Sequence, residues 1–301
     1  MTNFSISLSG GIGKHICATS MIKWISEKFP DSKITVISMF PELFEHNPRI
    51  WRNLPFGQAY LFEDYIKGTD YRIGDPYTLI EYYRPESKMH INELFPKAYG
   101  FGECNSNAHN EIFLTKGEKA EFMELESRKI ITLQISGGIP PGIQMSLKDK
   151  LDSSYRDIPM PMAIKIASIM RGKGYEVIQV RGQNEPSVPG TTQLNMPLRN
   201  LISMGMRCKG HIGMDSSFMH AMAAFDRPQL IFWGNTSPDN LGYSYPKVIN
   251  ARKECATTAP NVSMPDRAAI YPRVEDCNEK CWDYSDTEIQ ARIDEFIRLI
   301  E

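Results

Sequence analysis

The sequence predicts an α/β protein built from two doubly wound domains, each a parallel sheet covered by helices. Three observations predict it. A strand, glycine turn, helix and strand near the N-terminus is echoed by a second such run that begins at Lys129. The strands of both halves are β-branched and apolar enough to be buried on both faces of a parallel sheet. Finally, Gly210 to Pro238 places a polar turn directly after each of two further strands. That edge of an open α/β sheet is where ligands bind.

Phe4 to Leu8 forms the first strand and Gly10, Gly11 and Gly13 the first turn. A helix follows with Ile16, Met21, Ile22, Trp24 and Ile25 on its apolar side, until Pro30 and Asp31 stop it. Lys33 to Met39 is the next strand. From Gly68 to Glu111 the chain is rich in Tyr, Pro, Gly and His with little periodicity, the pattern of a functional loop system. Thr115 to Ser127 reads as a charged helix leading into a linker. The second half restarts with the strand Lys129 to Ile135 and the turn Ser136-Gly137-Gly138. It continues with a helix over Pro159 to Gly172, a strand over Tyr175 to Val180 and a short helix over Leu198 to Met206. Gly210 to Met214 and Gln229 to Trp233 complete the sheet. Ser285 and Glu288 make a capping box for a last helix whose stripe is Ile289, Ile293, Phe296, Ile297 and Ile300.

Composition narrows the function. The 301 residues carry a net charge of −2, which disfavours a dedicated nucleic-acid binder. No basic segment followed by an apolar core opens the chain and no run reaches membrane-spanning length, so a cytoplasmic location is expected. Six cysteines are scattered, and only Cys277 and Cys281 are closely spaced. That spacing makes a zinc ribbon a poor fit, and Cys255, Cys277 and Cys281 read as reduced thiols.

The strongest motif is Asp215-Ser216-Ser217 followed by the small-residue helix Met219 to Phe225. Ser216, Ser217 and the free N–H groups of the first helical turn would face a phosphate. His220, one turn on, can donate to the same anion. The run Asp-Ser-Ser-Phe-Met-His-Ala-Met-Ala-Ala, then Arg-Pro, an apolar strand and Gly-Asn-Thr-Ser-Pro, resembles the donor site of the ADP-heptose lipopolysaccharide heptosyltransferases, glycosyltransferase family nine. The resemblance is specific over some thirty residues and departs from the family at Ser217, where a glycine is usual.

That resemblance implies a GT-B fold, with two Rossmann-like domains facing across a cleft: residues 1–120 on the acceptor side, 121–284 binding the nucleotide sugar, and 285–301 a helix packing back on the first domain. It implies a metal-independent glycosyltransferase without a cofactor, moving a sugar from a nucleotide diphosphate sugar to an acceptor hydroxyl on a glycan, a protein or a modified nucleic-acid base. Asp215, Ser216, Ser217 and His220 would hold the donor diphosphate, with Thr236 nearby. Arg156 stands where the family carries a basic residue that touches the phosphates. Glu185, after a strand end, is placed to accept from ribose hydroxyls, and Ser136, Gly137 and Gly138 to line the cleft. A sugar-nucleotide epimerase and a non-catalytic sugar-nucleotide-binding module remain alternatives on the same architecture.

The glycine turn Gly10, Gly11, Gly13 is no phosphate-binding loop of the ATPase kind, since Leu8 and His15 stand where Gly and Ser or Thr are needed. The resembled family commonly has a catalytic Asp after this turn; here it is Lys14. A charged lysine cannot take the acceptor proton, so the base is sought at Asp75, then His90, then His15. Tyr65, Tyr71, Tyr77, Tyr82, Tyr83 and Phe95 are candidates for a sugar- or base-stacking platform.

Overall fold

The computed structural model describes residues 2–82, 89–104, 109–137, 156–182, 185–194, 196–234, 236–253 and 281–301. It divides into two units, Met1–Lys119 and Ala120–Glu301.

In the first unit, β1 (Asn3–Leu8), β2 (Lys33–Ser38), β3 (Arg52–Pro55) and β4 (Asp70–Ile73) form a four-stranded sheet in the order β3-β2-β1-β4. Every pairing is parallel. Parallel strands need crossovers, and α1 (Ile12–Lys28) supplies the first. Its Ile16, Met21, Ile22 and Ile25 are buried, as their spacing predicts. The loop-rich region holds more regular structure than expected: β4, α2 (Pro76–Tyr82) and α3 (Ile91–Ala98) all lie within it. Strand order runs one way from β1 to β2 and β3 and the other way to β4. The crevice beyond the C-terminal ends of β1 and β4 is therefore the switch point of this sheet.

The charged helix expected over Thr115 to Ser127 is two short pieces, α4 (Lys116–Ala120) and a 3-10 turn at Met123–Ser127. The second unit follows with β5 (Ile130–Leu133), β6 (Glu176–Gln179), β7 (Thr192–Gln193), β8 (Gly210–Gly213), β9 (Gln229–Trp233) and β10 (Val248–Arg252). They form one parallel sheet ordered β10-β9-β8-β5-β6-β7. Alternation along each strand feeds two cores. Ile131, Leu133 and Val177 pack under α5 (Met160–Gly172), while Ile130 and Ile178 pack with Met204 of α6 (Leu198–Arg207) on the other face. Here the order reverses between β5 and β8.

Beyond the one-turn α8 (Pro238–Leu241), the last helix, α9 (Asp286–Ile300), carries the expected capping box, with Ser285 Oγ accepting from the Glu288 N–H. Its apolar stripe does not follow the expectation of packing on the first domain. Ile289, Ile293, Phe296 and Ile297 are buried in the second unit's core, against α5 and β9. Gly210 explains the fit: a Cβ there would lie 2.7 Å from Phe296 Cζ, so only glycine leaves the ring its seat on β8. Among the described residues no helix is long and apolar enough to cross a membrane.

Candidate functional site

The second unit's switch point collects most of the residues expected to bind a donor. The chain leaves β5 through Gln134, Ser136 and Gly137, and leaves β8 through Met214, Asp215 and Ser216. Residues 156–158 return beside the first exit: Ile158 N–H donates to Ile135 O at 2.8 Å and Gly137 N–H to Asp157 Oδ1 at 3.0 Å. These bonds fix Arg156 over Gly137 so closely that a Cβ on Gly137 would lie 2.3 Å from Arg156 Nη2. From that seat the guanidinium reaches across the switch point, with Nη1 3.9 Å from Asp215 Oδ2.

Asp215 is buried, and its second oxygen, Oδ1, lies 3.9 Å from His220 Nε2. Burial pushes the Asp215 carboxyl above its ordinary pKa, opposed by Arg156 and by the Thr236 hydroxyl. Among the described residues, Thr236 Oγ1 and Arg156 Nε are both buried and make no hydrogen bond of full geometry. His220 is held down to about 3, first by burial and then by Arg156, so near pH 7 it is neutral, with one ring nitrogen able to donate and the other to accept. Its Nδ1 lies 2.7 Å from the Tyr243 hydroxyl.

These positions refine the expected roles. Asp215, expected to hold the diphosphate, sits between Arg156 and His220, with one oxygen 3.9 Å from each. The Ser216 hydroxyl accepts from the Met219 N–H as the cap of α7 (Ser217–Ala223). That helix has only seven residues, so its dipole is weaker than a long helix would give. Ser217 opens it, half-buried. Glu185 Oε2 accepts from Ser136 Oγ at 2.8 Å, which ties the expected ribose carboxylate to the β5 exit. Gly138, Cys255 and Cys277 lie outside the described residues. Cys281 is buried, and among the described residues no three His, Cys, Asp or Glu side chains converge to hold a metal ion.

The first unit's switch point is also occupied by polar groups. Lys14 Nζ donates to both oxygens of Asp75, at 2.7 and 2.9 Å, across 61 residues of sequence. Asp75 Oδ1 also accepts from Tyr77 N–H at 3.0 Å, and the Tyr77 ring lies 4.4 Å beneath Nζ. Gly10, at φ +96°, lets the turn pass against the lysine stem; a Cβ there would meet Lys14 Cδ at 2.5 Å.

The other two base candidates are structural. His15 is fully buried, with its ring nitrogens 2.9 Å from Gly11 O and 3.2 Å from Leu8 O and its edge against Phe40. Burial lowers its pKa, and enclosure keeps it from a substrate. His90 caps α3: its Nδ1 accepts from Asn92 N–H and its own N–H donates to Glu93. Nor do the aromatic residues share one platform. Phe95 is core, Tyr65 stacks with Arg52, Tyr77 lies beneath Lys14 and Tyr71 is exposed. The side chains of Tyr82 and Tyr83 lie outside the described residues.

Sequence reasoning missed Tyr243, Asp157 and Asn250. Asp157 had a signal in its neighbour Arg156. Tyr243 lies 23 residues beyond His220, and nothing local marks it.

No protein-family model and no curated protein matches this sequence. Solved structures do match along nearly the whole chain. A glycosyl transferase family 9 protein from Veillonella parvula shares 13% identity at a TM-score of 0.69, covering 99% of this chain and 97% of that one. The ADP-heptose lipopolysaccharide heptosyltransferase II of E. coli shares 13% at 0.62, covering 99% of each. E. coli heptosyltransferase WaaC, solved with ADP, shares 13% at 0.56, covering 91% of this chain and 99% of its own. The α/β fold with two parallel sheets is thus the fold found in family 9 glycosyltransferases.

Proposed function

We propose that this chain is a glycosyltransferase that moves a sugar from a nucleotide diphosphate sugar to an acceptor hydroxyl. The observation that carries the reading is the meeting of Arg156, Asp215, His220 and Thr236 at the β5–β8 switch point. Arg156 and neutral His220 donate toward one place and the Thr236 hydroxyl is buried beside them, an arrangement suited to a diphosphate. In the proposed step the acceptor oxygen attacks the anomeric carbon and loses its proton to Asp75. The bond from that carbon to the diphosphate oxygen breaks, and the leaving charge passes to Arg156, His220 and Thr236. Lys14 holds the Asp75 carboxylate in place. No metal ion is asked of this step, and the site of action is taken as cytoplasmic. The family 9 neighbours, one solved with ADP, support the donor class, while the sugar and the acceptor stay open to a glycan, a protein or a modified nucleic-acid base.

A second reading is a sugar-nucleotide-binding module without turnover, favoured by the clamping of Asp75 between Lys14 and a backbone N–H. One experiment separates the two. The protein, treated with chelator, is incubated with ADP- and UDP-sugars, and release of nucleoside diphosphate is followed with and without candidate acceptors. Transfer or slow hydrolysis that falls about tenfold or more in Arg156→Ala and His220→Ala, with the fold intact, supports the transferase. Binding without release under every condition supports the module. Equal turnover in both variants refutes the site.

A further inference from the structure

Tyr243 lies beyond the residues that would touch a donor, yet it is joined to one that would. Its hydroxyl is 2.7 Å from His220 Nδ1, and the two rings meet edge to face with centroids 5.7 Å apart. The tyrosine is itself held from behind. Asn250 Nδ2, on β10, donates to Tyr243 O at 2.9 Å, and the Asn250 side-chain oxygen accepts from Trp233 Nε1 of β9 at 2.9 Å. Trp233 is fully buried, so the chain of contacts starts in the sheet and ends at the imidazole.

A neutral imidazole carries one proton, and which nitrogen holds it decides what the other can do. Were the proton on Nδ1, the bare lone pair of Nε2 would face Asp215 Oδ1 at 3.9 Å, lone pair toward carboxylate oxygen. With the proton on Nε2, an N–H faces that carboxylate and Nδ1 accepts from the phenol. We propose that Tyr243 is a positioning residue: its hydroxyl donates to His220 Nδ1 and thereby holds the proton on Nε2, the nitrogen on the Asp215 side. His220 is then a fixed, uncharged donor to an anionic diphosphate oxygen. The use of that donor rests on the proposed donor site; the tautomer does not.

The test reads the two separately. In protein labelled with 15N at histidine, long-range proton–nitrogen correlation spectra distinguish the tautomers, and His220→Gln identifies the His220 signals. The wild-type protein is expected to show His220 as the Nε2–H form at neutral pH, and Tyr243→Phe to shift it toward the other tautomer. Inorganic pyrophosphate and ADP are then titrated into wild type, Tyr243→Phe and His220→Ala. Affinity is expected to fall about threefold to tenfold in Tyr243→Phe, the scale of one ordinary hydrogen bond. A wild-type His220 protonated on Nδ1 overturns the proposal without needing any variant to fold, as does a tautomer unchanged in Tyr243→Phe. If the tautomer shifts as expected while neither variant changes affinity, the donor site fails and the positioning of His220 stands.

Discussion

The two switch points occupy the same place in two parallel sheets and are built in opposite ways. At β5–β8 the groups are held apart: half-buried Arg156 and buried His220 each lie 3.9 Å from an oxygen of buried Asp215. These separations are too long for direct hydrogen bonds to Asp215. At β1–β4 the groups are fully joined, Lys14 gripping both oxygens of Asp75 within 3 Å. The surroundings differ too. Met39, Trp51, Phe56, Tyr60, Phe62, Tyr71 and Ile73 are large apolar residues exposed in the first unit, against Met123 and Ile164 in the second, among the described residues. A reversal of strand order at the same place in both sheets therefore fixes where polar groups gather but not how they are joined. One switch point keeps its charged groups apart, while the other closes them into a pair.

The sharpest way to break this contrast is to reverse the pair. Lys14→Asp and Asp75→Lys are each expected to lower transfer about 100-fold, by leaving two like charges where one general base was held. The double reversal restores a carboxylate to the position the resembled family uses, and it should recover at least about tenfold of that loss. Full recovery is not expected, because Asp75 also accepts from Tyr77 N–H. If the double variant is no better than either single one in a double-mutant cycle of kcat, the two residues do not act as a unit.

A smaller effect is expected from Gly137→Ala. The added methyl group would occupy the place of the Arg156 guanidinium, 2.3 Å from Nη2. Nucleoside diphosphate affinity should fall about tenfold, the scale of a displaced charge-assisted contact, while the melting temperature changes little. Titration calorimetry on the variant checks this, and unchanged affinity would show that Arg156 takes no part in binding.

The smallest effect concerns stability. Burial raises the Asp157 carboxyl from 3.8 to about 6, with Glu185 adding to the shift and Gly137 N–H and Arg156 opposing it. The folded form holds this proton more tightly than the unfolded chain does. The group therefore costs no stability below about pH 4, and its penalty grows between about pH 4 and 6 and is at its full value above that. Asp157→Asn keeps an oxygen for Gly137 N–H and removes the penalty. It should stabilise the protein by about 1 kcal/mol at pH 7, with the gain vanishing near pH 4. Thermal unfolding at both pH values measures it, and a gain independent of pH would assign the effect to packing.

How much of this could be read in the sequence follows from where each signal resides. β1, β5, β8 and β9 are buried runs, and α1 and α9 carry apolar stripes, so burial is written into consecutive residues. β3 (RNLP) and β4 (DYRI) are half-exposed edge strands of four residues each, in which polar and apolar residues mix without a period. They were hidden in what read as loops. The Asp215 turn was legible because its residues are adjacent. The pairing of Lys14 with Asp75 was not, since it joins residues 61 apart. His15 misled for the converse reason: it adjoins the right turn but points inward, and neighbours in sequence do not reveal direction.

The burial of α9 also bears on how the molecule is made. The first unit contains its own sheet and core by Lys119, whereas the second needs Phe296 seated on Gly210 before its core is closed. At ribosomal rates of about 5–20 residues per second, roughly 10–40 s separate those two moments. Once β8 and β9 have been made, late in that interval, the nascent second half exposes the surfaces that α9 later covers, and it is this half that a chaperone would be called on to shield.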